Sequence, residues 1–361
     1  MKIVICGDLS VTEESRAPFE ECNAKAAFGD VCDLFALADR SIVNLECALT
    51  EGENRIKKYG PNLKGPKSTA DTMKAAGVTD CTLSNNHIFD FGKEGFWDSI
   101  KQLDRVGIAH TGWGNNYEDS RRNMTFEQDG IRVTLINVCE HEYSYATDNR
   151  VGARPFDEFE TMQDIRMAKR EADYVIVVYH GGKELCRYPS PRLMKACREM
   201  ARCGADAVFC QHSHCIGTYE NFEGGHILYG QGNFHFVGYK DTEGWNEGLV
   251  AVLDLSKAGI KIGYEPVIGG NNGIRRANAD EKKAILDALD ARSQAILDGT
   301  WKAHWHEFCE SQLEKYLKAA GFLGRYTPEE YQRFAHYLDC EAHTDVWKEI
   351  FPTWNATNEV D

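Results

Sequence analysis

Long apolar runs are missing from this sequence, and so are clusters of basic residues. No stretch of 18 or more apolar residues occurs in the 361 residues, which disfavours a membrane-spanning helix. The short apolar stretch at the N-terminus is interrupted by Asp8, so it predicts a first β-strand rather than a signal peptide. Lys and Arg occur at most in pairs, and the formal net charge is −15. We therefore expect no sequence-independent binding of nucleic acid, and an anionic substrate would need local positive charge such as a bound cation.

Paired cysteine motifs are also absent. The 13 cysteines are odd in number and spread along the chain, and none forms a C-x-x-C pair. Zinc ribbons, thioredoxin-like motifs and secreted disulfide frameworks are therefore disfavoured. Several cysteines lie within apolar runs, where a reduced cysteine behaves as a small hydrophobic residue. We expect a reducing, cytoplasmic location.

Several catalytic signatures are missing as well. The sequence contains no H-E-x-x-H of a zincin, no G-x-S-x-G of a serine hydrolase and no P-C-x-x-C of a zinc deaminase. The stretch GPNLKGPK has the glycine spacing of a P-loop, but Pro66 occupies the position that requires lysine.

Short apolar runs alternate with helix-like stretches, and this alternation predicts a layered α/β domain. Strands are predicted at 2–6, 41–45, 78–83, 133–138, 174–179, 207–210 and 226–229, with a hairpin at 248–255 and 260–267. Helices are predicted at 68–77, 156–172 and 191–203. From Ala277 the periodicity becomes helical, so we predict an α/β domain over 1–276 and a helical extension over 277–361. We expect Trp301, Trp305, Trp347 and Trp354 of this extension to pack against the core.

Unusual polar residues follow the predicted strands. In open α/β sheets, ligands bind outside the carboxyl ends of the strands. The residues found there are Asp8, Asn44, Glu46, Asn85, Asn86, His87, Asp90, His180, Glu184, His212, His214 and Asn233. Taken alone, each of these residues could instead have a structural role, as a turn residue, a helix cap or a solvated carboxylate. Because six strand ends carry such residues, a shared site is the better interpretation.

The stretch VFCQHSHCIG ends an apolar run in two histidines, His212 and His214. In an extended segment residues i and i+2 point to the same side, so both rings would face one space. A solvated pair would look the same in isolation. Together with carboxylate and amide oxygens, however, the set suits manganese, iron or zinc. One such ion, or two about 3.5–4 Å apart, would lower the pKa of a bound water to about 7.

Six stretches carry a family resemblance. They are GDLS (7–10), NLECALT (44–50), SNNHIFDFG (84–92), HGGKE (180–184), GADAVFCQHSH (204–214) and ILYGQGNFHF (227–236). In this order they resemble the capsule synthesis protein CapA family, also called poly-γ-glutamate biosynthesis proteins, which is related to calcineurin-like metallophosphoesterases. The resemblance covers about residues 1–265 and implies a four-layer α-β-β-α sandwich of the metallophosphoesterase type, here with a C-terminal helical appendage.

The resemblance also implies roles for individual residues. Asp8 and His214 would bind a first metal ion, Asn86, His180 and His212 a second, and Glu46 would bridge them. His87 would be the catalytic histidine that protonates the leaving oxygen, and Asp90 would orient it. Asn44, Asn85, Glu184, Asn233 and Ser10 would support these ligands or contact substrate.

Three departures from the family pattern matter. Ser10 stands where the wider superfamily usually has a histidine ligand, so a one-metal centre is an alternative to two ions. Gly181 replaces the tryptophan that the family usually has after the histidine of HGGKE, and we expect no membrane anchor of the kind the family has.

Three functions remain open on the sequence. The first is a metal-dependent hydrolase that acts on a phosphoester of a small-molecule or polymer substrate. The second is a metal-dependent enzyme acting on an amide or peptide-like bond of a cell-surface polymer. The third is a non-catalytic polymer-assembly factor, which the intact His87, Asn86 and Asp90 disfavour.

Overall fold

The computed structural model describes residues 1–270, 272–321 and 327–351. Its strands are β1 (Lys2–Leu9), β2 (Arg40–Leu45), β3 (Ala48–Leu49), β4 (Lys64–Gly65), β5 (Asp80–Thr82), β6 (Ala109–Thr111), β7 (Trp113–Gly114), β8 (Met124–Gln128), β9 (Ile131–Cys139), β10 (Gly152–Ala153), β11 (Tyr174–His180), β12 (Ala207–Gln211), β13 (Tyr219–Phe222), β14 (Gly225–Leu228), β15 (Asn233–His235), β16 (Glu247–Ser256), β17 (Gly259–Gly269) and β18 (Ile274–Arg276). Its helices are α1 (Arg16–Glu20), α2 (Ala24–Phe28), α3 (Val31–Ala36), α4 (Thr69–Ala76), α5 (Gly92–Val106), α6 (Tyr117–Ser120), α7 (Glu158–Glu171), α8 (Pro191–Arg202), α9 (Ala279–Asp298), α10 (Trp301–Ala320), α11 (Pro328–Asp339) and α12 (Glu341–Ile350).

Two large mixed sheets form the centre of the molecule. The first has the strand order β18-β17-β16-β1-β2-β5-β6, with β15 also paired to β1, and the second has the order β13-β14-β12-β11-β9-β8. In the first sheet β1, β2, β5 and β6 run parallel. In the second, β9, β11, β12 and β14 run parallel. Each sheet therefore has one edge at which several strands end together.

The two sheets pack face to face, and helices cover their outer faces. Alternate residues of a strand point to opposite faces. Ile3 of the first sheet accordingly packs with Ile176 of the second, in a core between the sheets. Val4 packs with the helices outside the first sheet. Val177 packs with α8 and α10 outside the second. The α-β-β-α arrangement implied by the family resemblance is confirmed.

Local sequence signals explain several element boundaries. Helix α8 begins after Ser190, whose hydroxyl accepts a hydrogen bond from the Leu193 amide at 3.1 Å, and Pro191 takes the first helical position. Helix α4 ends at Gly77, which has a left-handed φ of +103° that suits glycine. Most predicted strands and helices occur within a few residues of their predicted bounds, because their apolar period matches their burial.

The C-terminal part is helical, as predicted. Trp301 and Trp305 are buried in the core outside the second sheet, and Trp347 packs against that core. Trp354 lies outside the described residues, and the division of the chain at residue 276 stays a prediction. Among the described helices, none combines the length and the apolar character that a bilayer crossing requires.

A buried carboxylate joins the C-terminal helices to the α/β layers. Glu140, which follows β9, accepts hydrogen bonds from Arg192 at 2.5 Å, from the Tyr179 hydroxyl at 2.9 Å and from the Ala342 backbone amide at 3.0 Å. The last contact lies in the first turn of α12, where a negative charge stabilises the helix dipole. Asp345 of α12 accepts further hydrogen bonds from Arg192.

We expect Glu140→Ala to destabilise the protein by about 3 kcal/mol, because the substitution leaves a largely buried Arg192 short of one partner and removes an anchor of α12. Thermal unfolding followed by circular dichroism measures the change. Glu199→Ala, on the exposed side of α8, is the matched control and should leave the melting temperature nearly unchanged. An equal effect of both substitutions would contradict the anchoring role.

Candidate metal centre

The carboxyl ends of both sheets meet at one place. Asp8, near the end of β1, is in register with Asn44 of β2 and with Asn233 of β15. Gly7 permits this close pairing, since a Cβ there would lie 2.3 Å from the Gly232 carbonyl oxygen. Glu46 directly follows β2, and His180 is the last residue of β11 in the second sheet.

Two groups of potential ligands form here. Ligand atoms of Glu46, His180 and His212 all lie within 4.8 Å of one another, and so do those of Asp8, Glu46 and His214. All these side chains are buried. Glu46 belongs to both groups, so the two groups share one carboxylate.

The surroundings of the Glu46 carboxylate indicate whether a cation fits between the two ligand groups. Its side chain is fully buried, yet neither carboxylate oxygen has a hydrogen-bond partner among the described residues. Glu46 Oε1 lies 3.3 Å from His180 Nε2, which in turn lies 3.0 Å from Asn86 Oδ1. Ligand atoms about 2.1 Å from a common ion lie roughly this far apart. The donor set of carboxylate, imidazole and amide oxygen therefore fits a divalent metal.

Burial sets the protonation of these groups in the metal-free protein. Burial, and next the neighbouring Glu46, raises the pKa of Asp8 to about 6. Burial also raises the pKa of Glu46. Burial lowers the pKa of His180 to about 4 and that of His212 well below its ordinary value, so both imidazoles are neutral, the form that binds metal. For His214 burial is outweighed by Glu46 and Asp8, and its pKa is raised.

Two asparagines contact the candidate ligands, and a third supports one of these two. Asn44 donates to Asp8 Oδ1 at 2.7 Å and lies 3.2 Å from His180 Nδ1. The Asn233 oxygen lies 2.9 Å from His214 Nδ1, which fixes the orientation of that ring. Asn85 is fully buried; its amide group donates to Asn44 Oδ1 at 3.0 Å, and its oxygen accepts from the His87 and Ile88 amides, so it links Asn44 to the loop that carries His87.

His87, Asp90 and Lys58 form a second buried cluster. His87 Nδ1 lies 2.6 Å from Asp90 Oδ2, and the Lys58 ammonium donates to Asp90 Oδ1 at 2.5 Å. Despite the opposing effect of burial, His87 and Lys58 lower the pKa of Asp90, which is therefore ionised at neutral pH. Lys58 Nζ also lies 3.0 Å from His87 Nδ1, so both close polar contacts of this ring are at Nδ1, and Nε2 has none among the described residues.

The extended backbone predicted for the two histidines is wrong. Strand β12 ends at Gln211, and His212 and His214 have left-handed φ values of +83° and +52°. Such backbone is unfavourable for non-glycine residues and is typical of functional sites. The two rings nevertheless lie close together, with centroids 5.9 Å apart, because the left-handed turn directs both side chains into the same space.

Two of the predicted residues, Ser10 and Glu184, belong to neither ligand group. Ser10 is buried, but its hydroxyl has no hydrogen-bond partner among the described residues and it belongs to neither ligand group. The Glu184 side chain is 47% exposed. Although burial opposes it, Lys183, His212 and His214 lower the pKa of the Glu184 carboxyl well below its ordinary value.

Sequence reasoning missed several polar residues near the site. Glu142 lies 3.7 Å from His212 Nε2 and follows β9, so the strand-end rule could have found it. Lys183 lies within the quoted HGGKE stretch. Lys58, His336 and His343 carry no local signal, because only the tertiary fold brings them here.

The chain is similar to several bacterial proteins named for capsule or polymer synthesis. The capsule biosynthesis protein CapA of Bacillus anthracis is 29% identical over 263 residues, which is 66% of this chain and 63% of that protein. The PGA biosynthesis protein CapA of Bacillus subtilis is 25% identical over 243 residues, again 66% and 63%. This chain thus spans less than two thirds of the length of either relative. A probable polyglutamine synthesis accessory protein of Mycobacterium tuberculosis is 25% identical over 209 residues, 54% of this chain and 55% of that one.

The chain also has a low similarity to solved structures. A hypothetical protein from Thermus thermophilus superposes with a TM-score of 0.45 at 15% identity, covering 77% of this chain and all of that one. A dimetal phosphatase from Danio rerio gives a TM-score of 0.35 at 10% identity, covering 65% and 96%. The model of the bacterial capsule synthesis protein PGA_cap matches residues 2–237. Because that match covers well over half of the chain, the protein belongs to the bacterial capsule synthesis (PGA_cap) family.

Proposed function

We propose that this protein is a metal-dependent hydrolase that acts on a phosphoester during the synthesis of a capsule or polyglutamate polymer. The observation that carries the proposal is Glu46, a buried carboxylate with two unpartnered oxygens that is shared by two ligand groups. A buried carboxylate without hydrogen bonds is strongly disfavoured unless a cation neutralises it. The relatives named for capsule, PGA and polyglutamine synthesis support the polymer context.

Each ligand group would hold one ion of manganese, iron or zinc. Asp8, Glu46 and His214 would bind the first, and Glu46, Asn86, His180 and His212 the second. When bound, the ions would supply a nucleophile from water at neutral pH and neutralise the charge of the attacked group. Asn44 and Asn233 keep Asp8 and His214 oriented for this role.

His87 would act as the general acid. Asp90 holds its Nδ1–H, which leaves Nε2 to carry the proton that the departing oxygen needs. Lys58 keeps Asp90 ionised and, together with Asp90, fixes the position of the ring. His87 lies beside Asn86 in sequence, so the acid and a metal ligand are placed by the same short loop after β5.

Metal binding should stabilise the protein in a pH-dependent way. The pKa of Asp8 in the metal-free fold is raised from 3.8 to about 6, so the metal-free protein loses stability as the pH rises through this interval. A metal competes with the proton below about pH 6, and we therefore expect Mn²⁺ to raise the melting temperature more at pH 7.5 than at pH 5.5.

Differential scanning fluorimetry with and without a chelator measures this effect, and elemental analysis should find one to two equivalents of metal. Glu46→Gln should abolish the stabilisation, whereas Glu94→Gln on α5 should retain it. The metal centre is excluded if Mn²⁺ shifts neither wild type nor the Glu94→Gln control.

Hydrolysis of bis(p-nitrophenyl) phosphate with added Mn²⁺ tests the reaction. We expect His87→Ala to reduce the rate by about 10²- to 10⁴-fold while metal binding is unchanged, because a general acid is removed without a ligand. His304→Ala, which alters a partly exposed histidine elsewhere, should be neutral. Absence of turnover on generic phosphoesters in the metal-loaded wild type, or wild-type activity of His87→Ala, would refute the proposed chemistry.

A further inference from the structure

A cavity of about 490 Å³ lies at the end of the second sheet opposite the candidate metal centre. His226 of β14, which lines it, is in register with Ala207, the first residue of β12. His212 follows the last residue of the same strand. The length of β12 therefore separates the cavity from the candidate metal centre. The β13–β14 hairpin, β17 and α9 each contribute one wall.

Three aromatic rings line this cavity. The rings of Tyr219 and His226 are stacked with centroids 5.6 Å apart, and the Tyr264 ring lies 5.8 Å from that of His226. A two-residue turn closes the hairpin that carries the first two rings. Glu223 and Gly224 in this turn have φ values of +48° and +88°, the left-handed backbone that joins two neighbouring strands tightly. The hairpin thus holds two of the three rings side by side.

The polar atoms of these rings already have partners within the protein. His226 Nδ1 lies 2.8 Å from Asn221 Oδ1, its cross-strand neighbour, and His226 Nε2 contacts the Tyr264 hydroxyl. The Tyr219 hydroxyl donates to Asp290 Oδ1 at 3.0 Å. Burial lowers the pKa of His226 to about 4, so this imidazole is neutral at neutral pH. A ligand in the cavity would therefore meet mainly the rings themselves.

The charge around the cavity is negative. Two carboxylates line it, those of Asp206 and Asp290, and no lysine or arginine is among the described residues that do so. The Lys169 ammonium lies 2.7 Å from Asp206 Oδ2 and compensates that charge. Asp290 is exposed, contacts the uncharged Tyr219 hydroxyl and forms no ion pair within the described part of the chain. One negative charge is therefore left for a ligand.

We propose that this cavity binds an organic ammonium ion, with its cationic group against the rings of Tyr219, His226 and Tyr264 and near the Asp290 carboxylate. The negative face of an aromatic ring attracts a cation, and quaternary ammonium ions are recognised by groups of such rings. Ile260 and the neighbouring aliphatic residues of the cavity offer apolar contacts to the carbon groups that an organic ion carries and a metal ion lacks.

This site is independent of the proposed hydrolysis. Strand β17 and helix α9, which supply two of its walls, lie beyond residues 2–237, the part that the family model matches. The ligand would therefore bind to a part of the chain that does not contribute to the metal centre.

Titration of the full chain with choline, followed by ligand NMR signals, tests the proposal. The uncharged alcohol 3,3-dimethylbutan-1-ol has the shape of choline and serves as the comparison. We expect choline to bind and the alcohol to bind about three- to thirtyfold more weakly, because only choline has the charge that the rings and the carboxylate attract. Equal affinities would make the cavity a merely apolar groove and would overturn the proposal, as would absence of choline binding.

Substitutions at Tyr264 separate the ring from its hydroxyl. Tyr264→Leu removes the ring and should weaken choline binding by about three- to thirtyfold. Tyr264→Phe keeps the ring, loses the contact to His226 and should bind choline as wild type does. Unchanged binding in Tyr264→Leu, or an equal loss in both variants, would contradict recognition by the ring.

Asp290→Asn tests the charge on an exposed side chain, so it remains informative if Tyr264→Leu does not fold. The asparagine oxygen can still accept from the Tyr219 hydroxyl. We expect weaker choline binding and an unchanged affinity for the alcohol. Asp287→Asn, on the same helix but outside the cavity and paired with Lys283, is the matched control and should bind choline as wild type does. Equal choline affinity in both variants would remove Asp290 from the site and overturn the proposal as stated.

Discussion

Two carboxylates, Asp8 and Glu46, are buried side by side where the sheets meet, and the rest of the site depends on this arrangement. Burial and mutual repulsion raise the pKa of Asp8, and burial raises that of Glu46, so at neutral pH they are costly to keep ionised without a cation. Few hydrogen bonds from the protein reach them. Asn44 contacts Asp8, but Glu46 has no partner among the described residues. Metal binding would offset the cost of these two buried carboxylates and would thereby contribute to the stability of the folded protein.

Neither sheet contains the site by itself. Asp8 and Glu46 come from the first sheet, whereas His180, His212 and His214 come from the second. Direct bonds fix the two sheets to each other beneath these residues. Gln211 donates to the Cys6 carbonyl at 3.0 Å, and the His212 amide donates to Asp8 Oδ2 at 3.0 Å. The face-to-face packing therefore sets the ligand distances.

The docking of the C-terminal helices requires a glycine at position 181. A Cβ at Gly181 would lie 2.6 Å from Glu140 Cγ and from Tyr179 Cε1. Glu140 occupies this space because it binds Arg192 and the first turn of α12. The glycine is thus matched to the docking of the helices, which bring His336 and His343 toward the metal centre.

The sequence by itself determined the α/β alternation and the helical character of the C-terminal part. It also determined the strand ends at which Asp8, Glu46 and His180 lie. These features are predictable because burial imposes a periodic spacing of apolar residues within each single strand or helix. The family resemblance supplied the partition of ligands into two groups, which no spacing in the chain encodes. Only the tertiary structure decided that His212 and His214 converge through a left-handed turn rather than an extended strand. It also placed Lys58 against Asp90 and His336 near Glu142, contacts between residues 32 and 194 positions apart. Such contacts depend on how separate layers pack, and the local pattern of a sequence carries no information about that packing.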